Sequence, residues 1–465
     1  MQGIARLALV ASIAVLVLPL SAAADHGTAD DQANMSHLFN SPKAATNSDL
    51  AFWEDLAFAG NYDGFRIFDI SDPARPVLLS DFPCRGPQND VSVYKARGRL
   101  LLIQSIDRPQ STDACTSVDT PVSASPIPGN FGIGFNPGFE GLRVFDVSEP
   151  TAPRHIASVP TACGSHTHTT IPDKRNQRLL VYVSSYPLFG GATPPGFPDF
   201  GGPQCAPPHQ KISIVEVSFA NPEGAHVLKE QPLHADTLPF PGTAAIACHD
   251  IQAFLDPKRP IALAACNAEA QLWDISDPAS PTTITAHTHI RNPNFDFFHS
   301  AEFTWDGEVV GINDEAFAHA CTGPQSLKGN IWFYGVVPPG SVTAPLLGRY
   351  MIPRSANSGP YCSLHNANIV PVNDRYIGVA SAYFGGTTIF DFTNPAAPVE
   401  IAYYDASGVD GHGPAFTWSS YWYNDYVYAN DIIRGFDVFQ PLTLKARTWH
   451  HLNPQTQEPF QTVGG

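Results

Sequence analysis

The sequence predicts an all-β protein, a single seven-bladed β-propeller of four-stranded blades, preceded by an N-terminal signal peptide. Three observations predict it. One short strand ending in an Asp-Pro turn returns along the chain. Pro 44 and Gly 36 punctuate many short β-branched and aromatic runs, and few stretches carry a helical period. No linker or change of composition divides the 465 residues, so one closed ring accounts for the length better than two smaller β-domains.

The returning stretch is Gly64-Phe65-Arg66-Ile67-Phe68-Asp69-Ile70-Ser71-Asp72-Pro73. It recurs as Gly141-Leu142-Arg143-Val144-Phe145-Asp146-Val147-Ser148-Glu149-Pro150, as Gln271-Leu272-Trp273-Asp274-Ile275-Ser276-Asp277-Pro278, and as Thr388-Ile389-Phe390-Asp391-Phe392-Thr393-Asn394-Pro395. Weaker copies occupy 211–217, 330–336 and 434–439. Each is a strand stopped by Asp, Ser and Pro, the residues of tight turns.

In chain order, Arg6, an apolar run over 7–20 and Ser21-Ala22-Ala23-Ala24 form a Sec-type signal peptide (residues 1–24) cleaved near Ala24. The run is too short for a bilayer anchor. Residues 25–46 read as a flexible segment, 47–452 as the propeller and 453–465 as a C-terminal tail. Blade 1 takes strands a to d from 49–53, 55–59, 65–70 and 77–82, and blade 2 from 90–94, 100–105, 142–147 and 155–159. Blade 3 takes 166–171, 179–184, 211–217 and 226–231. Blade 4 takes 249–254, 261–265, 270–275 and 282–286. Blade 5 takes 299–304, 308–312, 331–335 and 346–351. Blade 6 takes 365–370, 376–380, 387–392 and 399–404. Blade 7 takes 412–418, 426–429, 435–439 and 442–449, unless its outer strand comes from 36–42 instead.

The third strand with its Asp-Ile-Ser-Asp-Pro tail resembles the LVIVD-repeat family of bacterial secreted and surface proteins. The resemblance implies a β-propeller and implies little about chemistry.

A second regularity lies at the starts of the inner strands. His166, His249, His299, His365 and His412 open blades 3 to 7, while Asn47-Ser48-Asp49 and Asn89-Asp90 stand there in blades 1 and 2. Asp173, Asp256 and Asp306 follow His166, His249 and His299 at a constant spacing, which supports the register. His168 lies on the same strand face as His166. Strand starts converge at the rim of the central channel, and neutral imidazoles brought together are ligands for copper, zinc or iron. Asp90, Asp250 and Glu302 are placed to orient these ligands or add to them. A lone His here would only hydrogen-bond the next blade, but five at one position favour a metal or catalytic site. Three or four would bind one ion and leave a coordination position open. His287 and His289 sit at a strand end in blade 4, and His450-His451 near the C-terminus; both read as structural or surface pairs.

The b–c connections over 107–140 and 186–210 are long and rich in Pro, Gly, Phe and Ser, with Phe131, Phe135, Phe189 and Phe197 available as a lid or substrate wall. All eight Cys fall in loops at the same end of the disc as the His ring. Their positions predict Cys84–Cys115, Cys163–Cys205, Cys248–Cys266 and Cys321–Cys362 in an oxidising compartment. A net charge of -17 argues against nucleic acid, and no mature segment is apolar enough for membrane insertion.

The expectation is a secreted, periplasmic or cell-surface propeller whose His-lined funnel binds a transition metal (copper, zinc or iron) and no nucleotide cofactor. It would act as a metal-dependent oxidoreductase or hydrolase on a small molecule. The competing expectation is a non-catalytic extracellular module that binds a protein or glycan. A metal-free hydrolase has no Gly-x-Ser-x-Gly or comparable nucleophile motif to rest on.

Overall fold

The computed structural model describes residues 30–119, 138–185, 209–233, 247–256, 258–266, 269–284, 289–316, 327–336, 344–354, 363–372 and 374–445. Its strands form seven antiparallel sheets, each running from an inner strand a to an outer strand d. The inner strands are Asn47–Trp53, Gln88–Ala96, Thr167–Asp173, Asp250–Phe254, Phe298–Phe303, Leu364–Val370 and Thr417–Tyr423.

Each gap between neighbouring blades holds its own apolar cluster. Between blades 1 and 2, Phe58, Phe65 and Ile67 meet Val91, Val93 and Leu102. Between blades 7 and 1, Tyr421, Tyr428 and Phe436 meet Leu50, Phe52 and Phe68, so the ring is closed. Both faces of a blade are covered, which is why the strands read as near-continuous apolar runs rather than clean alternation. Truncating one of the large fillers, such as Phe58 to Ala, costs about 3–5 kcal/mol by cavity formation.

The repeat's Asp-Pro tail has a local physical cause. The aspartate that ends strand c accepts the N–H two residues on, at 2.8 Å for Asp69 to Ser71, 3.1 Å for Asp146 to Ser148, 2.8 Å for Asp274 to Ser276 and 2.9 Å for Asp391 to Thr393. A second Asx turn follows, from Asp72 to Ala74, Asp277 to Ala279 and Asn394 to Ala396. Two successive side-chain turns reverse the chain from strand c into strand d.

Three expectations are corrected. Residues 25–46 are not wholly a flexible segment, because Asp31–Ala33 and Met35–Ser41 are strands. Met35–Ser41 pairs with Gly435–Pro441 and is the outer strand of blade 7. Residues 442–445, the described part of the expected 442–449 strand, have no strand structure. Asp31–Ala33 adds a fifth strand to blade 6 by pairing with Val399–Asp405. In blade 4 the expected 282–286 strand is instead two short pieces, Thr282–Thr283 and His289–Ile290, both paired to Glu269–Asp274.

Cys84–Cys115 and Cys248–Cys266 are disulfide-bonded as the loop positions require. Cys163 is disulfide-bonded as well. Cys205, Cys321 and Cys362 lie outside the described residues, as do the signal peptide, residues 453–465, His287, His450-His451 and the four lid phenylalanines. Among the described residues no helix is long and apolar enough to cross a membrane.

Candidate metal centre

The site grows from irregularities at the inner strand starts. In blades 1, 2, 5 and 6 the a–b pairing slips between Asn47 and Leu50, Gln88 and Val91, Phe298 and Ala301, and Leu364 and Ala367. A bulge of this kind re-aims side chains that a regular ladder would hold between blades. Its first residue is Ser48, Asn89, His299 or His365, and its second is Asp49, Asp90, Ser300 or Asn366. In blades 3 and 4, His166 and His249 stand just before the ladder, with their N–H groups bonded to Ser184 O and Ala265 O. Short hydroxyl side chains lock neighbouring inner strands together. Thr167 Oγ1 donates to His249 O, Ser300 Oγ to His365 O, and Ser419 Oγ to Ser48 O.

Four imidazoles consequently form a continuous arc. Ring centroids are 4.4 Å apart for His166–His249, 3.9 Å for His249–His299 and 4.3 Å for His299–His365. Glu315 closes on this arc from the end of strand b in blade 5. Its Oε2 is 3.7 Å from His299 Nε2 and its Oε1 is 3.8 Å from His365 Nε2. Ligand atoms of His249, His299 and Glu315 all lie within 4.8 Å of one another.

The nitrogens of the four rings have different partners. His166 Nδ1 is 2.7 Å from Asp107 Oδ2, and its Nε2 is 3.3 Å from the Gln88 amide nitrogen. His365 Nδ1 donates to Trp418 O at 2.6 Å, which fixes the tautomer and leaves the Nε2 lone pair facing Glu315. His299 is 1 % exposed, and among the described residues neither of its ring nitrogens has a hydrogen-bond partner. Tyr383 O–H donates to Glu315 at 3.2 Å, and Tyr383, Phe384, Trp418 and Ile432 pack as an apolar wall beside His365. The Cys248–Cys266 disulfide ties the residue before His249 to strand b.

Burial dominates the electrostatics. It pushes His365 down to about 4 and His249 and His299 well below the usual imidazole value. Burial pushes Glu315 up to about 8. Empty of a cation, the cluster therefore favours neutral imidazoles and a protonated acid. Neutral imidazole is the form that binds metal.

The sequence-predicted residues divide into groups. His166, His249, His299 and His365 do converge. His412 does not: it is exposed on the turn before blade 7, whose inner strand begins only at Thr417. The ring position there belongs to Trp418, 5.1 Å from His365 between ring centroids. His168 lies deeper, with Nε2 2.7 Å from Ser92 Oγ and Nδ1 2.8 Å from Ser105 Oγ and 3.1 Å from Asp90 Oδ2, so both nitrogens already have partners. Asp90 and Asp250 line the channel cavity with Glu302. His289, read as a surface or structural residue, is half of a buried pair, 2.7 Å from Glu269.

Glu315 and Asp107 were not singled out by the sequence. They share one structural position, since Asp314 pairs with Phe298 and Ile106 with Gln88. The available signal was an acid one residue past the strand-b partner of the first strand-a residue, Glu315 after Asp314 and Asp107 after Ile106.

The LVIVD repeat pattern matches residues 47–82, which make up blade 1. The chain therefore carries an LVIVD repeat in blade 1 of a seven-bladed β-propeller. No curated protein matches it. Among solved structures, it is similar to the periplasmic gluconolactonase of Pseudomonas aeruginosa, with 11% identity, TM-score 0.51, and 89% of this chain and 93% of that one covered. It is also similar to a protein from Lactobacillus plantarum, with 12% identity, TM-score 0.50, and coverage of 83% and 89%. At these identities the likeness concerns the propeller fold alone.

Proposed function

We propose that this LVIVD-repeat propeller is an exported metal-dependent enzyme, with a transition metal held by His249, His299 and Glu315 and with His365 Nε2 as a fourth donor. The observation that carries this reading is His299. An imidazole this buried with neither nitrogen hydrogen-bonded costs on the order of 1–3 kcal/mol per orphaned group, which a bound metal would offset. Two histidines with one carboxylate are the ligand set of catalytic zinc and of non-haem iron sites.

A bound ion there would polarise a substrate oxygen or acidify a water. The protein's own groups support hydrolysis more than electron transfer. Asp250 and Glu302 line the same cavity as His249, His299 and His365 and can take a proton, while Trp418 and Tyr383 exclude water from one side. The fold-level likeness to a gluconolactonase does not supply the substrate.

The test is elemental analysis of protein purified without chelators, together with His299→Ala and Glu315→Gln. The wild type should hold about one equivalent of metal. Each variant should lose at least tenfold in affinity, as changes at metal ligands do, with an unchanged far-ultraviolet circular dichroism spectrum. A wild type that takes up no zinc, copper or iron at pH 7.5 would overturn the reading. The extracellular protein- or glycan-binding role would then stand in its place.

A further inference from the structure

Two buried acids at the inner strand starts take no part in the metal centre. Asp49 and Asp90 occupy the second bulge position of blades 1 and 2, so the backbone irregularity that presents His299 and His365 also turns these acids inward. They are 6 % and 3 % exposed. Each is tied to a different neighbouring blade. Asp49 Oδ1 accepts the Tyr421 hydroxyl of blade 7 at 2.6 Å and the Leu50 N–H at 2.8 Å. Asp90 Oδ2 accepts the His168 N–H of blade 3 at 2.8 Å and lies 3.1 Å from His168 Nδ1. Between them the two carboxyls are hydrogen-bonded to each other. The bonds thus run from Tyr421 through Asp49 and Asp90 to His168, across the inner strands of blades 7, 1, 2 and 3.

An ionised carboxylate can only accept hydrogen bonds, so the middle link of this chain exists only while a proton lies between the two acids. The surrounding groups do not replace that proton. Asp250 of blade 4 faces Asp90, and Glu302 of blade 5 faces Tyr421, and both are acids. Blade 3 presents His166 and His168, of which burial pushes His168 down to about 3 and so keeps it neutral. No Lys or Arg lines the channel beside the pair among the described residues. Burial, with Asp90 alongside, pushes Asp49 well above the usual carboxylate range, and burial pushes Asp90 up to about 7.

We propose that the Asp49–Asp90 pair is a pH-sensitive latch between the inner strands of blades 1 and 2, closed while the two carboxyls share a proton and loosened once it is lost. Two like charges in contact and out of water repel with little screening, so the ionised pair separates or draws water between the strands. Ser48 Oγ donates to Asn89 O at 2.8 Å beside the latch and does not titrate, so the two strands keep their register when it loosens. The sign follows from the raised carboxyls. Their contribution to stability is complete below the ordinary carboxylate value of about 3.9 and is lost as pH rises through about 7. The latch stands on its own residues and does not depend on the metal-centre reading.

The test is hydrogen–deuterium exchange of the full chain at pH 5 and pH 8, corrected for the intrinsic rate, with urea titrations at the same two values. Peptides covering Asn47–Trp53 and Gln88–Ala96 report on the latch, and one covering Ile261–Cys266 in blade 4 is the control. In the wild type, protection of the first two should fall about tenfold at pH 8, the factor carried by one pKa unit, while the control holds. Asp90→Asn puts a permanent N–H donor at the contact and keeps an oxygen for the His168 N–H, and Asp49→Asn does the same from the other side. Each should abolish the loss of protection, raise the urea midpoint at pH 8 and leave it unchanged at pH 5. Wild-type protection that is equal at the two pH values, a loss spread evenly over the control, or a loss that persists in both variants each overturns the proposal. If a variant does not fold, the wild-type contrast between the latch peptides and the control still decides.

Discussion

His168 and His299 are both buried imidazoles, yet they should answer substitution in opposite ways. His168 spends both nitrogens on Ser92 and Ser105, and burial pushes it down to about 3. Its folded pKa lies below the ordinary 6.5, so the stability it contributes is complete above pH 6.5 and is lost as pH falls toward 3. His168→Ala should cost about 2–4 kcal/mol in a denaturant titration at pH 7.5, flatten the acid limb of stability and leave metal content alone. His299→Ala should remove the metal and change the metal-free stability little. Glu140 gives the converse pH test. Burial lifts it to about 8, so its contribution is complete below the ordinary carboxylate range and is lost as pH rises through 8. Glu140→Gln should raise the urea midpoint at pH 9 and barely move it at pH 5. The four converging histidines were legible because the repeat fixes their place. His412 was misread because Gly411 and Gly413 flank it in a turn that imitates a strand start. Glu315 escaped notice because one acid before a loop looks like any other.

At the scale of single elements, the third strand and its Asx turns could be read directly, since the Asp and Ser side chains that make the turn are themselves the repeat. Of the N-terminal strands, Met35–Ser41 could be read only as the alternative to 442–449 for the outer strand of blade 7, and Asp31–Ala33 not at all. Met35–Ser41 alternates poorly, and its pairing partner lies at the far end of the chain. The bulges were equally invisible, because no residue type marks them. The Cys248–Cys266 link acts on an element that carries a proposed ligand. Replacing both cysteines by Ser should cost about 2–4 kcal/mol if the native bridge is unstrained. Because Cys248 adjoins His249, zinc affinity should fall in parallel, which equilibrium dialysis against a chromophoric chelator would register.

Over the whole molecule, seven inter-blade cores form a circle, and its seam is a strand pair. His37 meets Asp437 at 2.7 Å across a sequence separation of 400. Asp30 adds contacts to Tyr404 and Ser407 of blade 6. Removing residues 30–41 should leave the outer edge of Gly435–Pro441 unpaired. The truncated protein should lose cooperative thermal unfolding and associate on size-exclusion chromatography. A full-length-like melting curve would show that the seam is dispensable. The seam also bears on synthesis. The clasp is made first and its partner last, so it waits through the formation of six blades before it has anywhere to bind. Loop closure over that span is slow and comes after the local pairings. A chain that stops short of blade 7 would leave Met35–Ser41 without its strand partner and the blade 7 face of blade 1 uncovered, so the ring closes only once the last blade is made.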